Sequence, residues 1–385
     1  MEKTGAIIIE GHVQGLSNTR ALGEKGVPVY VVDTENCIAR YSKYCRKFFK
    51  CPEYKSKEFI KFLIDLANRE KINNWLLYPS NDHAVFNLAK NKALLSKFYT
   101  VITPDVKIID NIYNKEMLIK SAYKSDVPVP DSWFPQNYKS IQYQSYKYPL
   151  LVKGKFGLNF YKTTGKKAFL CKDENELEKT ISAICEVVKV DDLIIQNLLN
   201  YGTNKTISLG AFCIDGEMHA HWIGEKVREH PYSFGTSTFS RSITNETIYE
   251  QSKKLLKKLN YSGICEVEFL LDESDQRYKL IEINARTWLW VELAKTSGIN
   301  LAWIAYEYFV KGEQRKHNSY QSGKEWMHYI TDIPFSFFGI IKRKYSLGNI
   351  VRSFMKLPSP AVFQWKDIVP FFAELFLLPL LIIKR

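Results

Sequence analysis

Apolar positions along the chain follow two rhythms. Residues 6–9, 27–32 and 75–78 are short, nearly unbroken apolar runs, the pattern of strands buried on both faces of a parallel sheet. Between them, residues 18–25 are read as a helix ended by Gly26, and 57–69 carry apolar side chains at helical spacing, among them Phe59, Ile60, Leu63 and Leu66. Strand, helix and strand in that order predict an α/β unit with helices packed on a parallel sheet. Gly11 and Gly15 lie at its first strand-to-helix turn, but they do not make the GxGxxG pattern of dinucleotide sites. Asp82 follows the strand at 75–78, on the carboxyl edge where such sheets bind ligands. There it either contacts a substrate or caps the next helix. Pro104 opens a linker, which ends a first domain at 1–104.

The rhythm then changes. A helix is expected over 112–125, with Lys115 in its first turn and two prolines, Pro128 and Pro130, after it. Strands are expected at 150–153 and 193–196, a loop at 154–157 that continues through 160–170 with basic Lys162, Lys166 and Lys167, and an amphipathic helix at 174–187. Residues 206–214 and 217–223 form a hairpin around Asp215-Gly216, and 248–259 form a helix. A second hairpin spans 263–286. Its strands alternate, so Glu282 and Asn284 share a face, and a turn near Asp275 puts Glu268 opposite Glu282. Facing carboxylates repel unless a cation lies between them. Two carboxylates and an amide oxygen suit Mg²⁺, which completes its shell with phosphate oxygens and water. Arg286 continues the alternation and could meet a phosphate in a two-pronged fashion.

Composition narrows the classes. The chain has 385 residues, enough for two or three domains, and a formal net charge of +13. The excess is uneven, about +6 over 1–104, about +1 over 105–315 and about +6 over 316–385. The part carrying the acidic hairpin is nearly neutral, which argues against a nucleic-acid cleft. The seven cysteines are scattered, with no CxxC pair, and predict reduced thiols in a cytoplasmic protein. The first residues run straight into a strand and are not read as a signal peptide.

Several stretches now match one pattern. Lys115 after a linker, Lys153 on a strand, IIQNLL at 194–199, Glu268, Glu282-Ile-Asn284 and Arg286 occur in the order and rough spacing of the ATP-grasp superfamily. GHVQGLSNTRALGEKGVPVYVVD, PSND and CEVEFLL…LIEINAR also resemble its carboxylate–amine ligases and carbamoyl-phosphate synthase relatives, over about 5–315. The resemblance implies a mixed α/β and α+β fold. A Rossmann-like pre-ATP-grasp domain (1–104) precedes a two-subdomain ATP-grasp domain (105–315, lid about 125–200) and a C-terminal extension (316–385).

It also implies ATP with Mg²⁺ or Mn²⁺, and phosphorylation of a carboxylate to an acyl phosphate that an amine attacks. By that resemblance Lys115 and Lys153 hold phosphates, and Glu268, Glu282 and Asn284 hold the metal. Arg286, Lys153 and Arg228 serve the reaction. Gln196, Asn197, Leu198 and Leu199 border the adenine, and 154–157 form a mobile flap. Two departures stand out: the hinge carries Gln196-Asn197 where many relatives have an acid, and the flap has only two glycines. A kinase or carboxylase on the same fold, or a nucleotide-binding protein without turnover, are the alternatives.

The extension is basic at 340–344 and 352–356 and strongly apolar at 368–383, where Glu374 and two prolines interrupt an otherwise continuous run. The run is shorter than a spanning helix needs. Three readings stand side by side: a helix packed on the core, a peripheral contact through 366–385 with the inner face of a membrane, or a contact with a partner or with a second copy in a homodimer. The membrane reading would place a cell-envelope precursor among the substrates.

Overall fold

The computed structural model describes residues 3–199, 206–231, 235–342 and 344–383, the side chains of 379–383 excepted. Asn200, Tyr201, Gly202, Phe234, Arg343 and Lys384-Arg385, all within stretches considered above, lie outside the described residues.

Three sheets organise the chain. The first contains β1 (Ala6–Ile9), β2 (Val29–Asp33), β3 (Cys45–Lys50), β4 (Trp75–Pro79) and β5 (Tyr99–Val101), in the order β3-β2-β1-β4-β5, all parallel. β1, β2 and β4 are buried along their whole length because helices cover both faces. Helix Lys57–Arg69 is capped by Ser56 and buries Phe59, Ile60, Leu63 and Leu66. The helix expected over 18–25 is Val13–Gly23; it starts earlier, on buried Val13 and Leu16, and buries polar side chains too. Its Ser17 hydroxyl donates to Glu292, and Asn18 donates to Thr287, because the last part of the chain covers it.

The second sheet is a small antiparallel one, β6 (Ser132–Trp133), β7 (Leu150–Gly154), β8 (Phe169–Cys171) and β9 (Leu193–Asn197), ordered β6-β9-β7-β8. Helix Glu174–Ile184 closes it with Leu177, Ile181 and Ile184. The basic stretch 160–170 is helix Gly157–Thr164 followed by β8. The helix expected at 112–125 is two helices, Val106–Tyr113 and Lys115–Tyr123, broken at Asn114, whose side chain caps the second.

The third sheet contains β10 (Thr206–Ile214), β11 (Glu217–His230), β12 (Thr236–Ser242), β13 (Gly263–Asp272), β14 (Arg277–Asn284), β15 (Glu325–Met327) and β16 (Ser359–Pro360), ordered β14-β13-β10-β11-β12-β15-β16. β15 pairs with β12 and β16 with β15, so the carboxyl-terminal extension is built into this sheet. Helices Tyr329–Ile341, Leu347–Met355 and Val369–Ile383 follow. Among the described residues no helix is long and apolar enough to cross a membrane, and all seven cysteines are unpaired.

Candidate functional site

The hairpin of β13 and β14 supplies the acids. Its register puts Glu268 directly opposite Glu282 and Glu266 opposite Asn284, so alternation delivers three carboxylates and one amide to a single patch. Glu266 shares the Glu268 face two residues earlier, a signal present in the sequence but not used there. Asn284 Nδ2 donates to Glu266 Oε2 at 3.0 Å and to Glu268 Oε1 at 3.3 Å. Glu266 is buried, and that burial, reinforced by the Glu268 charge, pushes its carboxyl up to about 8.

Cations come from three other elements. Lys226 on β11 reaches Glu268 Oε2 at 2.9 Å. Lys115, the first residue of its helix, reaches Glu282 Oε2 at 3.5 Å. Burial opposes ionisation of Glu282, but Lys115, Lys226, Lys167 and Arg286 outweigh it and hold this carboxyl well below the usual range, while 40% of its side chain stays accessible. Lys153 on β7 donates to Gln196 Oε1 at 2.8 Å, and Gln196 Nε2 donates to Ser132 Oγ at 2.8 Å. Desolvation, with Lys115 adding repulsion, pushes Lys153 down to about 7.

Arg286 is held in a fork. Its Nε donates to Asp82 Oδ1 at 2.8 Å and its Nη2 to Asp82 Oδ2 at 3.0 Å. Tyr113 Oη donates to the same carboxylate at 3.1 Å. Asn81, not Asp82, caps helix Asp82–Lys90, which leaves Asp82 to receive the guanidinium. The carboxyl edge of the first sheet therefore meets the acidic hairpin across this pair.

Two expectations change. Arg228 does not point at the patch: it is buried, with Nε 2.9 Å from Asp332 Oδ1, Nη2 2.6 Å from Asp332 Oδ2 and Nη1 3.1 Å from Ser353 Oγ. A bulge between Lys226 and Arg228 breaks the alternation that would have kept them on one face. Residues 154–157 are not a free loop either. Lys155 N–H donates to Asp192, Lys115 N–H donates to the Lys155 carbonyl, and a helix begins at Gly157. At the hinge, Leu198 N–H donates to the Pro149 carbonyl at 3.2 Å. Asn197, Leu198 and Leu199 line a cavity of about 210 Å³ with Asp272 and Ser274, between the second and third sheets.

The donor set fits a hard divalent cation. Glu268, Glu282 and Asn284 offer only oxygen ligands, and Glu282 is held ionised with open surface. Among the described residues there is no group of three or more His, Cys, Asp and Glu side chains arranged for a metal. A cation here would therefore rest on two carboxylates and an amide, with the rest of its shell taken from elsewhere.

Residues 233–308 match the family model described as carbamoyl-phosphate synthase L chain, ATP binding domain. A D-aspartate ligase of Enterococcus faecium (strain Aus0004) is 23% identical over 262 residues, a match covering 64% of this chain and 62% of that protein. Among solved structures, N5-carboxyaminoimidazole synthetase of Staphylococcus aureus complexed with ADP aligns with TM-score 0.62 and 19% identity, over 84% of this chain and 81% of that one. L-amino acid ligase of Bacillus licheniformis aligns with TM-score 0.61 and 16% identity, over 82% and 78%. A biotin carboxylase of Campylobacter jejuni in complex with an ATP analogue aligns with TM-score 0.64 and 16% identity, over 80% and 71%.

Proposed function

We infer that this chain, an ATP-grasp protein by its fold, is an ATP-dependent ligase that joins a carboxylate to an amine. The observation that carries the reading is the convergence of Glu268, Glu282 and Asn284 with lysines from separate elements on one patch. Phosphoryl transfer needs charge neutralisation and positioning more than covalent help from protein. The relatives named for D-aspartate and for L-amino acids support an amino acid or a similar small metabolite among the substrates.

A carboxylate oxygen of the substrate attacks the γ-phosphorus of ATP, and the bond to the bridging oxygen of ADP breaks. The amine nitrogen then attacks the acyl carbon, loses a proton and expels phosphate. Lys115 and Lys153 offset the phosphate charge, and a triphosphate beside Lys153 restores the protonation that the empty cleft disfavours. Glu268, Glu282 and Asn284 would hold Mg²⁺, which supplies Lewis-acid neutralisation of the phosphate oxygens. Arg286 is presented to the reacting oxygens from its fork with Asp82, so an incoming anion competes with Asp82 for the guanidinium. Closure of the second sheet over the patch keeps water from the acyl phosphate. Asn197, Leu198 and Leu199 border the adenine at the cavity they line.

The test is phosphate release across a panel of amino acids and small carboxylates, each with and without an amine. Release that needs both establishes ligation. A phosphorylated product without amine makes the chain a kinase, and nucleotide binding without turnover makes it an inert module. Glu282→Gln should lower turnover by at least about 10²-fold, the scale on which removing one charge-stabilising group acts; activity near wild type would refute the metal assignment.

A further inference from the structure

The three carboxyl-terminal helices leave many of their large apolar side chains exposed. In Tyr329–Ile341 the buried side chains are Asp332, Ser336 and Gly339, while Ile333, Phe337, Phe338 and Ile341 face solvent. In Leu347–Met355 only Ile350 and Ser353 are buried, while Leu347, Val351 and Met355 are exposed. Val369–Ile383 packs on the core through Ala373 and Leu377 and buries Glu374, while Phe372, Leu375 and Phe376 stay outside, the last 80% exposed. Trp365, just before it, is 84% exposed. A water-facing helix does the opposite. Scattered apolar residues on a surface are ordinary, but a patch carried by three consecutive helices marks a contact with something apolar.

The helices share contacts. Arg228 holds Asp332 of the first and Ser353 of the second, and the Tyr329 ring packs near Phe354. His328, which precedes the first helix, contacts Glu374 Oε1 of the third at 2.6 Å.

Charge selects the partner. Every carboxylate from 325 to 383 is buried: Glu325, Asp332, Asp367 and Glu374. Among the described residues of 325–383 the exposed charges are all positive, namely Lys342, Lys344, Arg352, Lys356 and Lys366. Lys356 also pairs with Glu325 at 3.1 Å. A second copy docked by a two-fold axis through these helices would bring like cations together, with no exposed carboxylate of residues 325–383 to neutralise them. An anionic headgroup layer supplies the missing charge, and the acyl region accepts the aromatic and aliphatic side chains.

We propose that residues 329–376 form a peripheral docking surface for an anionic lipid bilayer, with Phe337, Phe338, Trp365 and Phe376 entering the interface and the surrounding lysines and Arg352 reading headgroup charge. Since no described helix spans, attachment is reversible and salt-sensitive.

The experiment is flotation of the full chain with vesicles of phosphatidylcholine alone or with one third phosphatidylglycerol, a ratio on the order used to mimic anionic leaflets. The chain should float with the anionic vesicles at least about tenfold better than with neutral ones, and salt should weaken this. Phe337→Ser with Phe376→Ser should abolish flotation. Lys342→Gln with Lys344→Gln and Arg352→Gln should remove the anionic preference. Trp365 fluorescence should be quenched by brominated acyl chains, and Trp365→Phe should lose that quenching. All these side chains are exposed, so circular dichroism and nucleotide binding of the variants should match wild type. Equal flotation on both vesicles, or none, overturns the proposal. So does light scattering that finds an oligomer which the Phe337→Ser, Phe376→Ser pair dissociates without any vesicle binding; the face would then be a contact between copies.

Discussion

Glu10 follows β1 directly at the carboxyl edge of the first sheet, where Asn81 Nδ2 donates to it at 2.9 Å and Gln14 Nε2 at 3.0 Å. Burial is the chief reason that its carboxyl is pushed up to about 7, and the charges of Asp33 and Asp82 add to it against Asn81 and Arg286. A raised carboxyl binds a proton in the folded state that the unfolded chain has already lost. Stability therefore falls as pH rises from about 4.5 to about 7, and what protonation contributed is gone above that. Glu10→Gln should flatten this slope and gain about 1–3 kcal/mol on wild type between pH 5 and pH 8, read from urea midpoints at both values. An unchanged slope would mean that the side chain is ionised throughout. At this scale the acids of the site were legible in the sequence, because strand alternation is local and puts Glu268 opposite Glu282. Lys226 was harder to place, since its nearness to Glu268 depends on β10 lying between β11 and β13. The Arg286–Asp82 fork joins residues 204 positions apart, and no local pattern encodes that.

Strands and helices differ in how far their sequence reveals them. The third sheet is legible where its residues alternate, yet β11 runs to His230 through Gly224, Glu225, Lys226 and Arg228. Such a charged stretch reads as a loop until its partners, Glu268 and Asp332, are known. β3, with the sequence CRKFFK, was missed because it is an edge strand with little burial. Two glycines in the third sheet have a steric cause. Trp288 lies over Gly210, where a Cβ would come within 2.0 Å of its ring, and Trp222 crowds Gly224 in the same way at 2.3 Å. The rings of Trp222, Trp288 and Trp290 pack together between this sheet and the helices above it. Gly210→Ala should cost about 1–3 kcal/mol by overpacking, measured by denaturant unfolding. A neutral result would mean that the ring swings aside freely.

Across the whole molecule, the two basic ends of the sequence are brought together. Arg20 is buried in helix Val13–Gly23, with Nε 2.9 Å from Asp367 Oδ2, Nη1 2.8 Å from the Val362 carbonyl and Nη2 2.8 Å from the Asp367 carbonyl. Asp367 also accepts from Ser42 Oγ at 2.7 Å and Lys43 N–H at 2.9 Å. Asp367→Ala would leave a buried guanidinium without its counter-charge and should lower stability by about 3–5 kcal/mol in equilibrium unfolding. A loss below 1 kcal/mol, the scale of an exposed pair, would show that water reaches Arg20. This pair spans 347 positions and so bears on synthesis as well as on stability. At about 5–20 residues per second, translation takes roughly 20–70 seconds to travel from Arg20 to Asp367. Through that interval Arg20 on the first sheet's helix has no partner carboxylate at Asp367. The ion pair that ties the opening of the chain to its far end therefore forms only once residue 367 has left the ribosome.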